Sequence, residues 1–138
     1  MTNHHDLLVS ASDAEALATL VGDRRRTDRF EAAAADALAE VLMDARMVAH
    51  DRLPTDRVSM NCHVAYREEP GGARRSIAIV HPAEANPADG RISVLSPVGR
   101  ALLGRKAGSV AAISVPGGRA LRVRVLEVER AEALEGAR

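Results

Sequence analysis

The chain predicts an α+β fold: a short N-terminal antiparallel helical hairpin of coiled-coil type, then an antiparallel β-sheet domain with one short helix. Three observations carry that expectation. Two apolar stripes at helical spacing occupy the first third of the chain. Apolar and polar residues then alternate strictly through Val58, Met60, Cys62, Val64 and Tyr66. Finally, the segment GRISVLSPVGRALLGRKAGSVAAISVPGG, Gly90 to Gly118, joins a strand, a capped helix, a glycine stop and a hairpin in unbroken order.

Taken in order, Ser12 and Glu15 form a capping box that opens a first helix, with Ala16, Leu17, Leu20 and Val21 on one face until Gly22. A second helix is expected from about Asp28 to Ala49, with Phe30, Ala34, Ala37, Leu38, Val41, Leu42, Ala45 and Val48 as its stripe. At 1.5 Å per residue the two would be roughly 15 Å and 33 Å long. The alanine-rich face of the longer one would extend past its partner and need another surface to cover it. His50 to Asp56, with Leu53-Pro54 inside it, reads as a linker, because the residue before a proline resists helix. Boundaries follow at 1–56 for the helical hairpin, 57–130 for the sheet domain and 131–138 for a tail.

In the second part, the alternation from Val58 to Tyr66 predicts a half-buried antiparallel strand. Glu68 to Gly72 turns the chain, and Ile77, Ile79 and Val80 return it. Ile92, Val94 and Leu95 form a short strand. Ser96 is placed as N-cap with Pro97 at N1 of a helix to about Leu103, and Gly104 stands where a helix end favours a residue tolerating positive φ. Val110, Ile113 and Val115 then make a strand, Pro116-Gly117-Gly118 a turn, and Leu121, Val123 and Val125 the returning strand.

Composition excludes several classes of function. With Cys62 as the single cysteine there is no intramolecular disulfide, which suits a reducing cytosol, and no apolar run approaches the roughly 20 residues of a membrane span. A cytoplasmic protein with no membrane partner is expected. The histidines His4, His5, His50, His63 and His81 are scattered, so neither a metal site nor a cofactor is expected, and no P-loop, dinucleotide fingerprint or G-x-S-x-G elbow appears. Net charge is zero, yet residues 1–56 hold six Arg against eleven acids, or −5. Residues 57–130 hold eleven Arg and one Lys against six acids, or +6. Such a bipolar chain fits a second domain that meets an acidic surface.

The run Ser96, Pro97, Gly99, Arg100, Ala101, Leu102, Leu103, Gly104 and Gly108, followed by Pro116 to Gly118, resembles the C-terminal domain of the Gre-type transcript elongation factors. With its short length and abbreviated helical part, the chain looks most like the regulator of nucleoside diphosphate kinase, a Gre-like family. The resemblance covers about Leu7 to Arg130. It implies a C-terminal domain with the fold of FK506-binding prolyl isomerases. Isomerase activity is not expected, because that pocket is walled by aromatics and this domain has only Tyr66. The chain is therefore expected not to be an enzyme.

The resemblance also implies a partner, the bacterial RNA polymerase, docked at the rim of its secondary channel through the strand-to-helix loop. Leu95, Ser96, Pro97 and Arg100 become the candidate contacts. Gre cleavage factors carry D-x-x-E at the end of a long coiled coil, where two carboxylates help hold a Mg²⁺. Asp28 and Glu31 have that spacing, but Arg24, Arg25, Arg26 and Arg29 crowd the tip, and the paired helices look too short to reach the catalytic metal. Asp28 capping the second helix, with Glu31 completing its capping box, accounts for the pair without metal chemistry. The expected protein occupies the channel rim and competes with Gre factors without cutting RNA. Two alternatives stand beside it: a cleavage factor using Asp28 and Glu31, and a direct binder of nucleoside diphosphate kinase. Nucleic-acid contact is expected to be indirect at most, since stacking aromatics are missing.

Overall fold

A computed structural model of the protein describes residues 7–23, 29–114 and 120–130. Arg24, Arg25, Arg26 and Asp28 of the expected tip, Val115 and the turn at Pro116 to Gly118 lie outside the described residues. So does the tail at 131–138.

The N-terminal part is strand, helix, helix, strand: β1 (Leu8–Ser10), α1 (Ala11–Val21), α2 (Arg29–Asp44) and β2 (Arg46–Val48). The two strands pair in parallel, Leu8 opposite Arg46 and Ser10 opposite Val48, and close the base of the helix pair. The second helix accordingly stops at Asp44 rather than Ala49, about 24 Å long at 1.5 Å per residue. Arg46 to Val48 leave the helix because their backbone groups find partners in β1, a pairing between segments nearly forty residues apart that helical periodicity cannot register. The cap of α1 also differs from the expected one. Ser10 is the N-cap, its Oγ accepting from the Asp13 amide at 3.1 Å. The Ser-x-x-acid spacing is thus used two residues earlier than Ser12 and Glu15. Asp13 in turn accepts from the Met60 amide at 3.0 Å, tying α1 to the sheet domain.

A 3₁₀ turn (His50–Arg52) and a looped segment lead to the sheet, and Leu53 is buried in it. The sheet contains β3 (His63–Glu69), β4 (Arg74–Val80), β5 (Arg91–Ser93), β6 (Val110–Ser114) and β7 (Ala120–Glu129), in the spatial order β5-β4-β3-β7-β6. Three of its pairings are antiparallel, while β4 and β5 run parallel, so the sheet is not wholly antiparallel as expected. The connection through 81–90 is built from two 3₁₀ turns (Pro82–Glu84 and Pro87–Asp89), which reverse the chain so that β5 lies alongside β4 in the same direction. The strand expected from Val58 begins only at His63. Val58 is fully buried, but its amide donates to the Arg105 carbonyl and its carbonyl accepts from Gly104, which takes the segment off the sheet.

α3 (Pro97–Leu102) lies on the connection between the two edge strands, β5 and β6, and packs against β6. The core includes Val64, Tyr66, Ile79, Val123 and Val125 from the sheet, Leu102 and Leu103 from the end of α3, and Leu7, Val9, Leu17 and Leu38 from the N-terminal part. Residues of both sequence halves therefore meet in one apolar cluster. Tyr66 belongs to that cluster, and burial pushes its phenol up, partly offset by Arg75. Among the described residues, no helix is long and apolar enough to cross a membrane, and no three His, Cys, Asp or Glu side chains are grouped to hold a metal ion.

Across the other face of the sheet, register places Arg74, Arg67 and Arg124 in one row on β4, β3 and β7. Like charges directly opposite one another are unfavourable, and carboxylates offset them. Glu69 accepts from Arg67 at 3.0 Å and from Arg124 at 3.3 Å, and Glu127 pairs with Arg74 at 2.6 Å. The hydrogen bond from Arg67, with help from Arg124, holds the Glu69 carboxyl below its usual pKa. Because the folded value is the lower one, this contribution to stability is full above the ordinary carboxylate range and is lost as pH falls through the folded pKa. Glu69→Gln should therefore flatten part of the acid limb of the stability–pH curve measured by urea unfolding; an unchanged acid limb would contradict the pairing.

Candidate functional site

The loop from β5 into α3 is held by its own hydroxyls. Ser93 Oγ accepts from the Leu95 amide at 3.0 Å. Ser96 Oγ donates to the Ser93 carbonyl at 2.7 Å and accepts from the Gly99 amide at 3.1 Å, capping α3, with Pro97 in its first turn as the sequence predicts. The Ser93 carbonyl also accepts from the Ser96 amide at 3.0 Å. Gly99 presses against this loop so closely that an added Cβ would lie 2.4 Å from the Ser93 carbonyl oxygen and 3.0 Å from Val94 Cα. Both obstacles are backbone, so neither can swing aside.

Arg100 completes the loop. Its Nη1 donates to the Leu95 carbonyl at 2.6 Å, and burial draws its pKa below the usual arginine value. Arg100, expected from the sequence as a candidate contact, thus also has a structural task, closing the turn from the helix side. Leu95 itself is 7% exposed and packs in the core. Ser96, Pro97 and Arg100 are half-buried and reach the surface.

The far end of α3 is a second junction. Gly104, at φ +80°, donates to the Val58 carbonyl, and its own carbonyl accepts from the Leu8 amide at 3.1 Å and Arg57 Nη1 at 3.1 Å. A Cβ there would meet Leu8 N at 3.2 Å and Leu7 Cβ at 3.3 Å. The base of the helix pair is thereby seated on the end of the loop's own helix.

Two adjoining hollows lie between α2 and α3. One, about 530 Å³, is lined by Phe30, Glu31, Ala33 and Ala34 of α2 and by Leu95, Ser96, Pro97 and Arg100. The other, about 320 Å³, is lined by Ala37, Glu40 and Val41 opposite Ala101, Arg105 and Ile113, and shares Pro97 and Arg100 with the first. All four loop candidates and Glu31 of the tip candidates therefore border one open groove, while Arg24, Arg25, Arg26 and Asp28 are outside the described residues. Phe30 departs from expectation. Placed on the apolar stripe of α2 by periodicity, it is 85% exposed, because the first turn of α2 faces this groove rather than α1.

The segment that holds this loop falls within a region that matches a known family. The family described as "Transcription elongation factor, GreA/GreB, C-term" matches residues 53–130, more than half of the sequence. The chain belongs to the GreA/GreB family. It is 39% identical over 95 residues to the "Regulator of nucleoside diphosphate kinase" of Escherichia coli K12, covering 69% of this chain and 70% of that protein. To the "Transcription elongation factor GreA" of Christiangramia forsetii it is 37% identical over 93 residues. That match covers 67% of this chain but only 58% of the relative, so this Gre-family chain spans little more than half of the elongation factor. Among solved structures, the GreA/GreB factor from Nitrosomonas europaea superposes with a TM-score of 0.69 at 34% identity, covering 90% of this chain and 98% of that one.

The loop geometry makes a direct test possible. Ser96→Ala should cost about 1 kcal/mol through the lost cap, and Gly99→Ala about 2 kcal/mol through overpacking against backbone. In a chain of this size these correspond to Tm losses of roughly 3 °C and 7 °C. A Gly99→Ala protein melting with the parent would mean that the Ser93–Val94 backbone yields freely and the loop is not fixed by this contact.

Proposed function

We propose that this Gre-family protein binds bacterial RNA polymerase at the rim of the secondary channel through the β5–α3 loop, competes there with Gre factors, and does not stimulate transcript cleavage. The observation that carries this reading is the pairing of a family-type docking loop with a short helix pair: α2 has 16 residues and α1 only 11. The described part of α2, about 24 Å long, offers little reach beyond the platform proposed to dock.

Of the D-x-x-E pair, Glu31 lies among the described residues and Asp28 does not. Cleavage by a D-x-x-E pair needs both carboxylates presented together at a projecting end, where they can share a divalent cation. Glu31, exposed in the first turn of α2, borders the groove beside Ser96 and Arg100. The relative named as a regulator of nucleoside diphosphate kinase suggests the consequence: occupying the polymerase in the cytoplasm alters how the kinase gene is transcribed, with no catalytic step by the regulator itself. Direct contact with the kinase through the basic sheet domain is the other route to the same outcome.

Stalled elongation complexes separate these readings. Added protein should displace a labelled Gre cleavage factor and suppress the RNA shortening that factor causes, with no shortening of its own. RNA cleavage that disappears in Asp28→Asn and Glu31→Gln would contradict the proposal. Capture of purified kinase but not purified core polymerase would move the function to the kinase.

A further inference from the structure

The chain carries its sulfur unevenly. Cys62, its single thiol, is fully buried, and its Sγ accepts from the Ser59 amide at 3.3 Å. A free cysteine is ordinarily the side chain an oxidant reaches first, but a thiol shut away from solvent is inert. Met60 is half-buried and packs against the core. Met43, in the last turn of α2, and Met47, in β2, are by contrast 84% and 64% exposed. Together with Phe30 they are the exposed large apolar side chains among the described residues, and Met1 lies outside those residues.

A thioether needs no deprotonation to react, so solvent access decides which methionine a peroxide attacks. The product, a sulfoxide, is polar and disrupts a core when it forms inside one. At Met43 and Met47 the side chain is already in water, so no apolar contact of the core is lost. Met47 stands opposite Val9 in the ribbon of β1 and β2, a pairing of backbone groups that an oxygen at the far end of the side chain does not touch. Neither methionine borders the groove between α2 and α3.

We propose that Met43 and Met47 form a reversible oxidation site, at which the chain takes up oxygen from a peroxide ahead of Met60 and Cys62 and keeps its fold. In each step the O–O bond of hydrogen peroxide breaks and an S–O bond forms; the sulfur loses two electrons and the peroxide is reduced to water. A methionine sulfoxide reductase reverses the step, two thiols becoming a disulfide while the oxygen leaves as water. The base of the helix pair thus consumes oxidant at the surface, away from the sulfur of the core and from the β5–α3 loop.

Hydrogen peroxide added to the full chain, read by peptide mass mapping, thiol titration and circular dichroism, tests this. The peptides holding Met43 and Met47 should each gain about 16 Da, one oxygen, before Met60 or the thiol titre changes. The chain oxidised at these two positions should melt with the parent, and a sulfoxide reductase supplied with a dithiol should restore the original masses. In urea, where burial is lost, Met60 and Cys62 should oxidise alongside the exposed pair. Oxidation of Met60 or Cys62 first or at the same rate in the native chain, a lowered melting temperature after oxidation at Met43 and Met47 alone, sulfoxides that the reductase leaves in place, or the same order of oxidation in urea would each overturn the proposal.

Discussion

The position of every candidate contact depends on how tightly the backbone closes between Ser93 and Gly99. One serine hydroxyl satisfies the Ser93 carbonyl and the Gly99 amide at once, and the absence of a Cβ at residue 99 lets the helix come down onto that carbonyl. Pro97 presets the first helical φ, and Arg100 closes the turn from the other side. A loop presenting half-buried residues to a partner is ordinarily free to rearrange. Here the Ser93 and Leu95 carbonyls and the Val94, Leu95, Ser96 and Gly99 amides are all bonded, which lowers the ordering entropy left to be lost on docking.

The same helix fixes the N-terminal part. Gly104 closes α3 in a left-handed conformation and receives the first strand through its carbonyl, while Asp13 reaches back to the Met60 amide. With Leu7, Leu17 and Leu38 in one cluster with Leu102 and Ile113, the helix pair and the platform hold their relation through shared packing as well as hydrogen bonds. That coupling brings the alanine face of α2 alongside α3. A run read as local, Ser96 to Gly104, therefore organises both ends of the groove.

What was legible in the sequence was local. The Ser96 cap, Pro97 in the first turn and Gly104 at the stop are encoded within nine residues, and the alternation in β7 reads directly as a strand. Pairings between distant segments left no such trace. The ribbon of β1 and β2 joins two three-residue strands far apart in sequence, and the parallel pairing of β5 depends on turns at Pro82 and Pro87 whose direction composition does not reveal. Val58 and Met60 fit a strand pattern perfectly well, but Gly104 and Arg105 take the backbone groups of Val58 before a strand can. In the groove, the candidate loop could be found from its motif, whereas the exposure of Phe30 could not. Periodicity identifies an apolar face without saying which neighbour covers it.

On the proposed reading, the braced β5–α3 loop and the short described helices suit occupation of an enzyme's surface better than intervention in its chemistry. The most direct measurement is electron cryo-microscopy of the protein bound to a bacterial elongation complex. The account predicts the β5–α3 loop seated on the rim of the secondary channel and the end of the helix pair stopping short of the catalytic Mg²⁺. A complex in which Asp28 and Glu31 reach that ion, or in which the loop faces solvent, would contradict it.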